Sequence, residues 1–347
     1  MSNDSKRAFI NFLRGLAVFF MLWGHSIQYA CAGQFDYYEN VIFKLIYSFH
    51  MPLFMLLSGY LFLFSENKRG MIELIEYKSK ALLYPILMCS IVSILLTSGI
   101  SAIIKGKNET IIGGIQLTNL WFLWSVLACS IALAFAMKCS KMKIVNVFFM
   151  IIGIFFVALF PNWTMNVYMY PFFIIGYLYA RNEWRLAKAR IIGGLTATVG
   201  FIIMIFFYSK EHYIYITGIF GGKTMVESLK IDLFRWAIGL LGSVAVIWIC
   251  SLIYDAIKNG KIVSMIEKLG RNSLAIYALS MPLLNYWLPK FMKNVMGILP
   301  EISWNRNIWF YNLIVTPFVA FLYSMFILMI IKELKKNNGY RLIFGRD

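Results

Sequence analysis

Two ionisable residues, Arg14 and His25, lie in one apolar segment of the chain, residues 10–30. An ionisable group at membrane depth costs several kcal/mol, so such residues usually have a partner or a functional role. The stretch from Arg14 to His25 turns an α-helix through about 1100° and rises about 16 Å, so both side chains project from nearly the same face. The first predicted helix therefore carries a cation in its first half and an imidazole, on the same face, in its second half.

A second histidine, His50, lies in the next apolar segment, residues 40–64. If the two segments are antiparallel helices, His25 and His50 fall at similar depth in the outer half of the membrane. A neutral imidazole whose other nitrogen is held by a partner is a suitable base for a hydroxyl proton. The alternative is that each is simply a hydrogen-bonded interior histidine. Pro52 predicts a kink near His50.

Arg14 admits two interpretations. Its side chain can extend to lipid headgroups as an anchor, or it can face the helix bundle and bind a phosphate through paired hydrogen bonds. Basic residues cluster between the second and third segments, on the same side as Arg14: Lys68, Arg69, Lys78 and Lys80. They are either topology determinants or, together with Arg14, a cytoplasmic pocket for a polyphosphate ligand.

Trp121 and Trp124 are three residues apart, on one face of a predicted helix near the outer interface. An aromatic belt at the headgroup level is the common explanation. The alternative is a stacking surface for a sugar, with Asn119 as a hydrogen-bonding partner. Further along, Asp232 and Arg235 are one helical turn apart and are expected to pair.

The composition excludes an ordinary soluble domain, because 60% of the residues are hydrophobic and 14% are charged. It predicts an all-α, polytopic membrane protein, with residues 1–347 forming one domain of about ten transmembrane helices. The fifth and sixth apolar stretches are short and are separated only by residues 161–164, so they could instead form one re-entrant unit. The ten apolar stretches are about 8–30, 40–64, 81–104, 118–137, 144–160, 165–180, 191–208, 231–256, 272–296 and 308–331.

The net charge of +17 invites a nucleic-acid function, but the distribution of the basic residues argues against it. Most of them lie at the two termini and in alternate loops. By the positive-inside rule this pattern places both termini in the cytoplasm, which requires an even number of spans. We therefore expect a multi-pass protein of the inner (plasma) membrane, surrounded by lipids and without a nucleic-acid partner. The first span is expected to be an uncleaved helix rather than a signal peptide.

The five cysteines show neither a CxxC motif nor the spacing of metal ligands. Most lie in predicted spans, where a thiol acts as a small apolar filler. The sequence therefore predicts no metal site.

Six stretches, taken in order, resemble the acyltransferase-3 family of integral membrane O-acyltransferases, in the branch that resembles fucose 4-O-acetylase. They spread over nearly the whole chain, and the ordered set is more specific than any one of them. The matching stretches are 14RGLAVFFMLWGH25, 49FHMPLFMLLSGYLF62, 78KSKALLYP85, 120LWFLWS125, 170YPFFIIGYLYAR181 and 270GRNSLAIYALSMPLL284.

The resemblance implies a ten-helix bundle that uses acyl-CoA, here acetyl-CoA, as cytoplasmic donor. It implies a hydroxyl group of a surface glycan, or of its lipid-linked precursor, as acceptor. It also implies His25 as the essential imidazole and Arg14 as its basic companion. The mechanism that we expect is direct transfer, with His25 as general base and His50 as the candidate that polarises the thioester carbonyl. Transfer through an acyl-histidine is the alternative.

On this basis we assign catalytic roles to His25, Arg14 and His50, donor binding to Arg14, Arg69, Lys78 and Lys80, and acceptor binding to Asn119, Trp121 and Trp124. Two features depart from the family pattern. Ser280 stands where relatives often have histidine. Lys78 and Lys80 stand where relatives often have arginines, so bidentate phosphate contacts are not expected there.

Two functions from other classes compete with the enzyme. One is a transporter or flippase for a glycan or lipid-linked precursor, in which Arg14 and the histidines form a substrate or proton relay. The other is a structural or regulatory membrane component whose polar residues only link helices. Proton-coupled transporters usually place carboxylates in the membrane interior, and this chain has few Asp or Glu residues at the centres of its predicted spans.

Overall fold

The computed structural model describes residues 3–30, 36–105, 120–138, 143–186, 189–280, 309 and 311–345. These ranges form helices joined by short turns, and none of them contains a strand, in agreement with the predicted all-α class. The helices are α1 Asn3–Ala30, α2 Val41–Glu66, α3 Met71–Lys105, α4 Trp121–Lys138, α5 Lys143–Val157, α6 Trp163–Leu186, α7 Arg190–Ile205, α8 Ile214–Thr217, α9 Met225–Ile257, α10 Lys261–Arg271, α11 273–280, α12 Thr316–Lys336 and α13 Gly339–Phe344.

Among the described residues, five helices are long and apolar enough to cross a membrane: Asp4–Gln28, Val41–Glu66, Trp121–Lys138, Met225–Ile257 and Asn312–Lys336. Two shorter apolar helices, Ile144–Val157 and Arg190–Ile205, accompany them. The chain is therefore a multi-pass membrane protein. The count of ten spans and the orientation of the termini stay predictions.

Helix α2 lies at the centre of the bundle and contacts α1, α4, α6 and α9. The Asn40 side chain caps its first turn by accepting hydrogen bonds from the backbone N–H groups of Ile42 and Phe43. The helix continues through Pro52, where the predicted kink would lie. Because α2 is enclosed by other helices, the side chains in the middle of α2 face either other protein residues or a cleft inside the bundle.

Small residues let α2 and α6 approach closely. A side chain at Gly59 would collide with the carbonyl group of Phe173, and one at Gly176 would collide with that of Leu56. This reciprocal contact has the form expected for helix packing in membranes, where glycine permits backbone contact.

Helix α1 is held by α10 on one side and by α12 on another. Gly15 packs against the carbonyl group of Ile266, and Gly270 packs against that of Asn11. Higher on α1, the Trp23 indole donates a 2.9 Å hydrogen bond to the hydroxyl of Thr316 on α12. These contacts fix the face of α1 that carries Arg14 and His25.

The fifth and sixth apolar stretches form two separate helices, α5 and α6. Asn162 lies between them with a left-handed backbone (φ 63°), which asparagine tolerates. The amide of Asn166 donates to the carbonyl groups of Val157, Phe160 and Pro161. It thereby pairs carbonyl groups that the end of α5 leaves without a partner in the helix. Its carbonyl oxygen accepts a 2.7 Å hydrogen bond from Ser125 on α4.

The predicted orientation can be tested by cysteine labelling in a cysteine-free background. Lys223 and Lys258 are both exposed and lie at opposite ends of α9. We expect a membrane-impermeant maleimide added to intact cells to label Lys223→Cys, and to label Lys258→Cys only after the membrane is permeabilised. Labelling of Lys258→Cys in intact cells would reverse the topology and place the basic residues on the outer side.

Candidate active site

Two clefts lie among α1, α2, α3, α4 and α11, one containing Arg14 and the other His25 and His50. We call them the Arg14 cleft and the His25 cleft. Their cavity volumes are ≈ 170 Å³ and ≈ 230 Å³.

The Arg14 cleft is basic at one end and mostly apolar elsewhere. Its polar lining comes from five different helices: Arg14 on α1, Ser58 on α2, Lys78 on α3, Ser130 on α4 and Ser273 on α11. One guanidinium nitrogen of Arg14 donates a 2.6 Å hydrogen bond to the Ser273 hydroxyl. This contact holds the arginine toward the interior of the protein instead of toward lipid.

The two lysines that the sequence assigned to the donor site differ in position. Lys78 lines the Arg14 cleft, with its ammonium group 5.4 Å from the centre of the Phe62 ring. Lys80 is exposed and its ammonium group pairs with Glu76 at 2.5 Å, outside the residues that line the cleft. The side chains are separated because they are two positions apart on one helix, where side chains point in nearly opposite directions.

Arg69 contacts the Arg14 cleft only through another residue. Its guanidinium lies 3.9 Å from the centre of the Tyr77 ring, and Tyr77 lines the cleft. Its Nε atom is 3.8 Å from a carboxylate oxygen of Glu73. Arg69 is therefore a neighbour of the cleft mouth and not a member of its wall.

The His25 cleft contains both histidines from the first two helices. The Nδ1 atom of His25 lies 3.2 Å from the side-chain oxygen of Gln28 and 3.4 Å from the hydroxyl of Tyr47. Because an amide oxygen only accepts hydrogen bonds, the Gln28 contact favours the tautomer with the proton on Nδ1. In that tautomer the Nε2 atom is the basic nitrogen.

The imidazole of His50 is buried and oriented by its own helix. Its Nδ1 atom lies 2.8 Å from the carbonyl oxygen of Ile46, one turn earlier on α2. Since a carbonyl cannot donate, Nδ1 must carry the proton, and Nε2 of the neutral ring is an acceptor. His50 could therefore donate from Nε2 only as an imidazolium.

The two clefts share part of their lining. Met51 on α2 and Tyr277 on α11 line both of them. The Tyr277 hydroxyl accepts a 3.2 Å hydrogen bond from the backbone N–H of Phe122, near the start of α4. These residues form a thin partition between the Arg14 end and the histidine end.

Of the three residues assigned to the acceptor, Trp121 lines the His25 cleft, whereas Trp124 is not among the described residues that line it. Asn119 lies outside the described residues. The other aromatic lining residues are Phe43 and tyrosines that the sequence analysis missed, although tyrosine pairs at 37–38 and 213–215 were a visible signal. The five tyrosines of the wall are Tyr37, Tyr38, Tyr47, Tyr215 and Tyr277.

A buried ion pair holds one side of this wall. Arg235 and Asp232 on α9 pair at 2.7 Å and are each 1% exposed, which confirms the predicted pair. Asp232 also accepts a 2.9 Å hydrogen bond from the backbone N–H of Phe220. The remaining Arg235 hydrogen bonds go to the carbonyl groups of Glu211, His212 and Gly218 and to the Thr217 hydroxyl. They fix the segment around α8, which carries Tyr215.

The residues just before α2, 36–40, are tied to the same region. The hydroxyl of Tyr213 donates a 3.1 Å hydrogen bond to the carbonyl oxygen of Tyr38. The Lys210 ammonium pairs with Asp36 at 2.6 Å and lowers the pKa of that carboxyl. These contacts join the two segments over the His25 cleft.

Ser280 is buried and donates to the carbonyl oxygen of Tyr277 at 3.0 Å. It does not line either cleft. The residues that the structure describes also contain no cluster of His, Cys, Asp and Glu able to hold a metal ion.

Comparison with known proteins identifies the family. A family described as an acyltransferase domain, the acyltransferase-3 family, matches residues 7–333. The chain is 27% identical to the nodulation protein NolL of Sinorhizobium fredii over 50% of its length and 48% of that protein's. It is 24% identical to NolL of Mesorhizobium japonicum over 59% of its length and 57% of that protein's.

The chain thus spans about half the length of the curated relatives that it matches. No solved structure matches it. The family match covers all the helices that line the two clefts and nearly the whole chain. The chain belongs to the acyltransferase-3 family.

Proposed function

We propose that this protein is a membrane O-acyltransferase that moves an acetyl group from cytoplasmic acetyl-CoA to a hydroxyl of a surface glycan or of its lipid-linked precursor. The observation that carries the proposal is the meeting of the two clefts at Met51 and Tyr277. A basic cleft suits an anionic donor, and an aromatic cleft with two imidazoles suits a sugar and proton transfer. Reactants entering from opposite sides would meet at this partition.

In the proposed reaction the acceptor hydroxyl attacks the thioester carbonyl directly. The Nε2 atom of His25 takes the hydroxyl proton, the new ester bond forms, and the carbon–sulfur bond breaks. The proton then passes to the departing thiolate, which leaves as CoA thiol. Holding both reactants in one enclosed site contributes several kcal/mol to lowering the barrier.

The orientation of His50 changes the role that we assign to it. Because its Nδ1 proton is held by the Ile46 carbonyl, a neutral His50 cannot donate a hydrogen bond to the thioester oxygen. We propose that it acts as an imidazolium when it polarises that oxygen, or as a hydrogen-bond acceptor that orients the sugar hydroxyl. The Tyr277 hydroxyl is an additional donor at the partition.

The proposal is tested by incubating the purified protein in nanodiscs with acetyl-CoA labelled in the acetyl group. The acceptor is a glycan or glycolipid extract from cells that lack the protein. We expect labelled ester, released by mild alkali, together with one CoA thiol for each ester formed. Label that stays on CoA, combined with movement of the glycolipid across the membrane, would favour the transporter.

Trp121 and Trp124 provide a matched pair for the acceptor site. We expect Trp121→Ala to raise the KM for the acceptor about 5- to 150-fold, because stacking on one aromatic ring contributes about 1–3 kcal/mol. Trp124→Ala is expected to change this KM less than threefold. Initial rates at varied acceptor and saturating acetyl-CoA measure both. If both substitutions raise the KM equally, the two tryptophans form an aromatic belt at the membrane interface and not an acceptor site.

A further inference from the structure

Ser130 is the buried serine in the described part of the chain whose hydroxyl has no hydrogen-bond partner. Serines inside helices normally donate to the carbonyl group four residues earlier. Ser26, Ser90 and Ser324 do so here, at distances of 2.6–2.8 Å. Buried polar groups are nearly always paired, so an unpaired one suggests a missing ligand group.

The position of Ser130 specifies which part of a ligand it would meet. It lines the Arg14 cleft and is 1% exposed, with apolar neighbours Val126 and Leu123 on its own helix. It lies eight residues after Phe122, or about 12 Å along α4 from the partition. A ligand group that reaches Ser130 must therefore extend deep into the cleft.

The thioester arm of a CoA donor has amide groups at a comparable distance from its sulfur. Its distal amide, which joins the β-alanine and pantoate units, is seven to eight bonds from the sulfur, or about 9–10 Å in an extended arm. If the thioester lies at the partition, the distal amide reaches the level of Ser130. An amide in an apolar cleft needs a hydrogen-bond partner as much as the hydroxyl does.

We propose that the Ser130 hydroxyl binds the distal amide of the donor's pantetheine arm and thereby sets how far the thioester advances toward His25. This assignment rests on the proposed function and deepens it. It makes the protein selective for thioesters that carry a full pantetheine arm. Ser130 is a donor-binding residue outside the basic end of the cleft.

Ser58 supplies the matched control. It lines the same cleft and lies seven residues after Met51, about 10 Å from the partition. Its hydroxyl already donates a 2.8 Å hydrogen bond to the carbonyl oxygen of Phe54. Ser58→Ala thus makes the same atomic change at the same depth without removing an available hydroxyl.

The experiment compares Ser130→Ala and Ser58→Ala in nanodiscs with acetyl-CoA, S-acetylpantetheine and the short thioester S-acetyl-N-acetylcysteamine. We expect Ser130→Ala to raise the KM about 3- to 10-fold for the first two donors, because the variant loses one hydrogen bond to the pantetheine arm. Its kcat/KM for the short thioester should equal that of the wild type. Its Tm without ligand should be unchanged or higher, because an unpaired buried hydroxyl is removed.

Two results would overturn the assignment. One is a KM for acetyl-CoA in Ser130→Ala that rises no more than in Ser58→Ala. The other is a lower Tm in Ser130→Ala with an equal loss for all three donors, which would indicate a packing role. A wild-type protein that neither binds nor uses acetyl-CoA would instead overturn the proposed function itself, so the two failures are distinguishable.

Discussion

We expect His25→Ala to lose at least 100-fold in the rate of acyl transfer while keeping its expression level and folding. General-base catalysis supplies about 10²–10⁴-fold, and removal of the imidazole removes all of it. The side chain contributes little to stability, because its Nδ1 contacts with Gln28 and Tyr47 are 3.2 and 3.4 Å long and lie at a cleft wall. The rate is measured at saturating acetyl-CoA and acceptor.

His212 is the control for this prediction. It is the remaining histidine of the chain, lies in the loop before α8 and is not among the residues lining either cleft. Burial lowers the pKa of its imidazole, so it is mainly neutral at pH 7. We expect His212→Ala to stay within about threefold of the wild type. A His25→Ala enzyme as active as His212→Ala would remove His25 from the mechanism.

The second large effect is expected at Arg14. We expect Arg14→Ala to weaken the use of acetyl-CoA about 100-fold or more in kcat/KM, because truncation removes a charge-assisted contact to the donor and leaves Ser273 without its partner. Arg14→Lys should lose less, since an ammonium keeps the charge but not the paired hydrogen bonds. A lipid anchor would tolerate lysine fully.

Lys78 and Lys80 make this prediction more specific. Lys78 lines the cleft with Arg14, whereas the exposed Lys80 pairs with Glu76. We expect Lys78→Ala to raise the KM for acetyl-CoA and Lys80→Ala to leave it within about twofold, the usual range for an exposed pair. KM is measured with the acceptor held at saturation. If Arg14→Ala is fully active, or Lys80→Ala is the more damaging lysine variant, the donor site lies elsewhere.

The sequence by itself determined the features that depend on one helix. The apolar composition requires helices that satisfy their own backbone groups. The spacing of Arg14 and His25 places them on one face because the pitch of a helix is fixed. The Asp232–Arg235 pair follows from the same periodicity and is observed at 2.7 Å. Six ordered stretches also predicted the family, which the match over residues 7–333 confirms.

The tertiary structure decided what each face meets. Ser273 contacts Arg14 across 259 positions of sequence, and no local pattern predicts that pairing. Met51 and Tyr277 form the partition only because α2 and α11 pack beside α4. Tyr215 joins the aromatic wall because the buried Arg235 binds the backbone on both sides of α8.

The two lysines of α3 illustrate the physical reason. Successive side chains on a helix are rotated by about 100°, so Lys78 and Lys80 point about 200° apart. The sequence shows that only one of them can face a given neighbour, but it does not show which one. That choice depends on which face of α3 packs against the bundle, and it is set by contacts with side chains from distant segments.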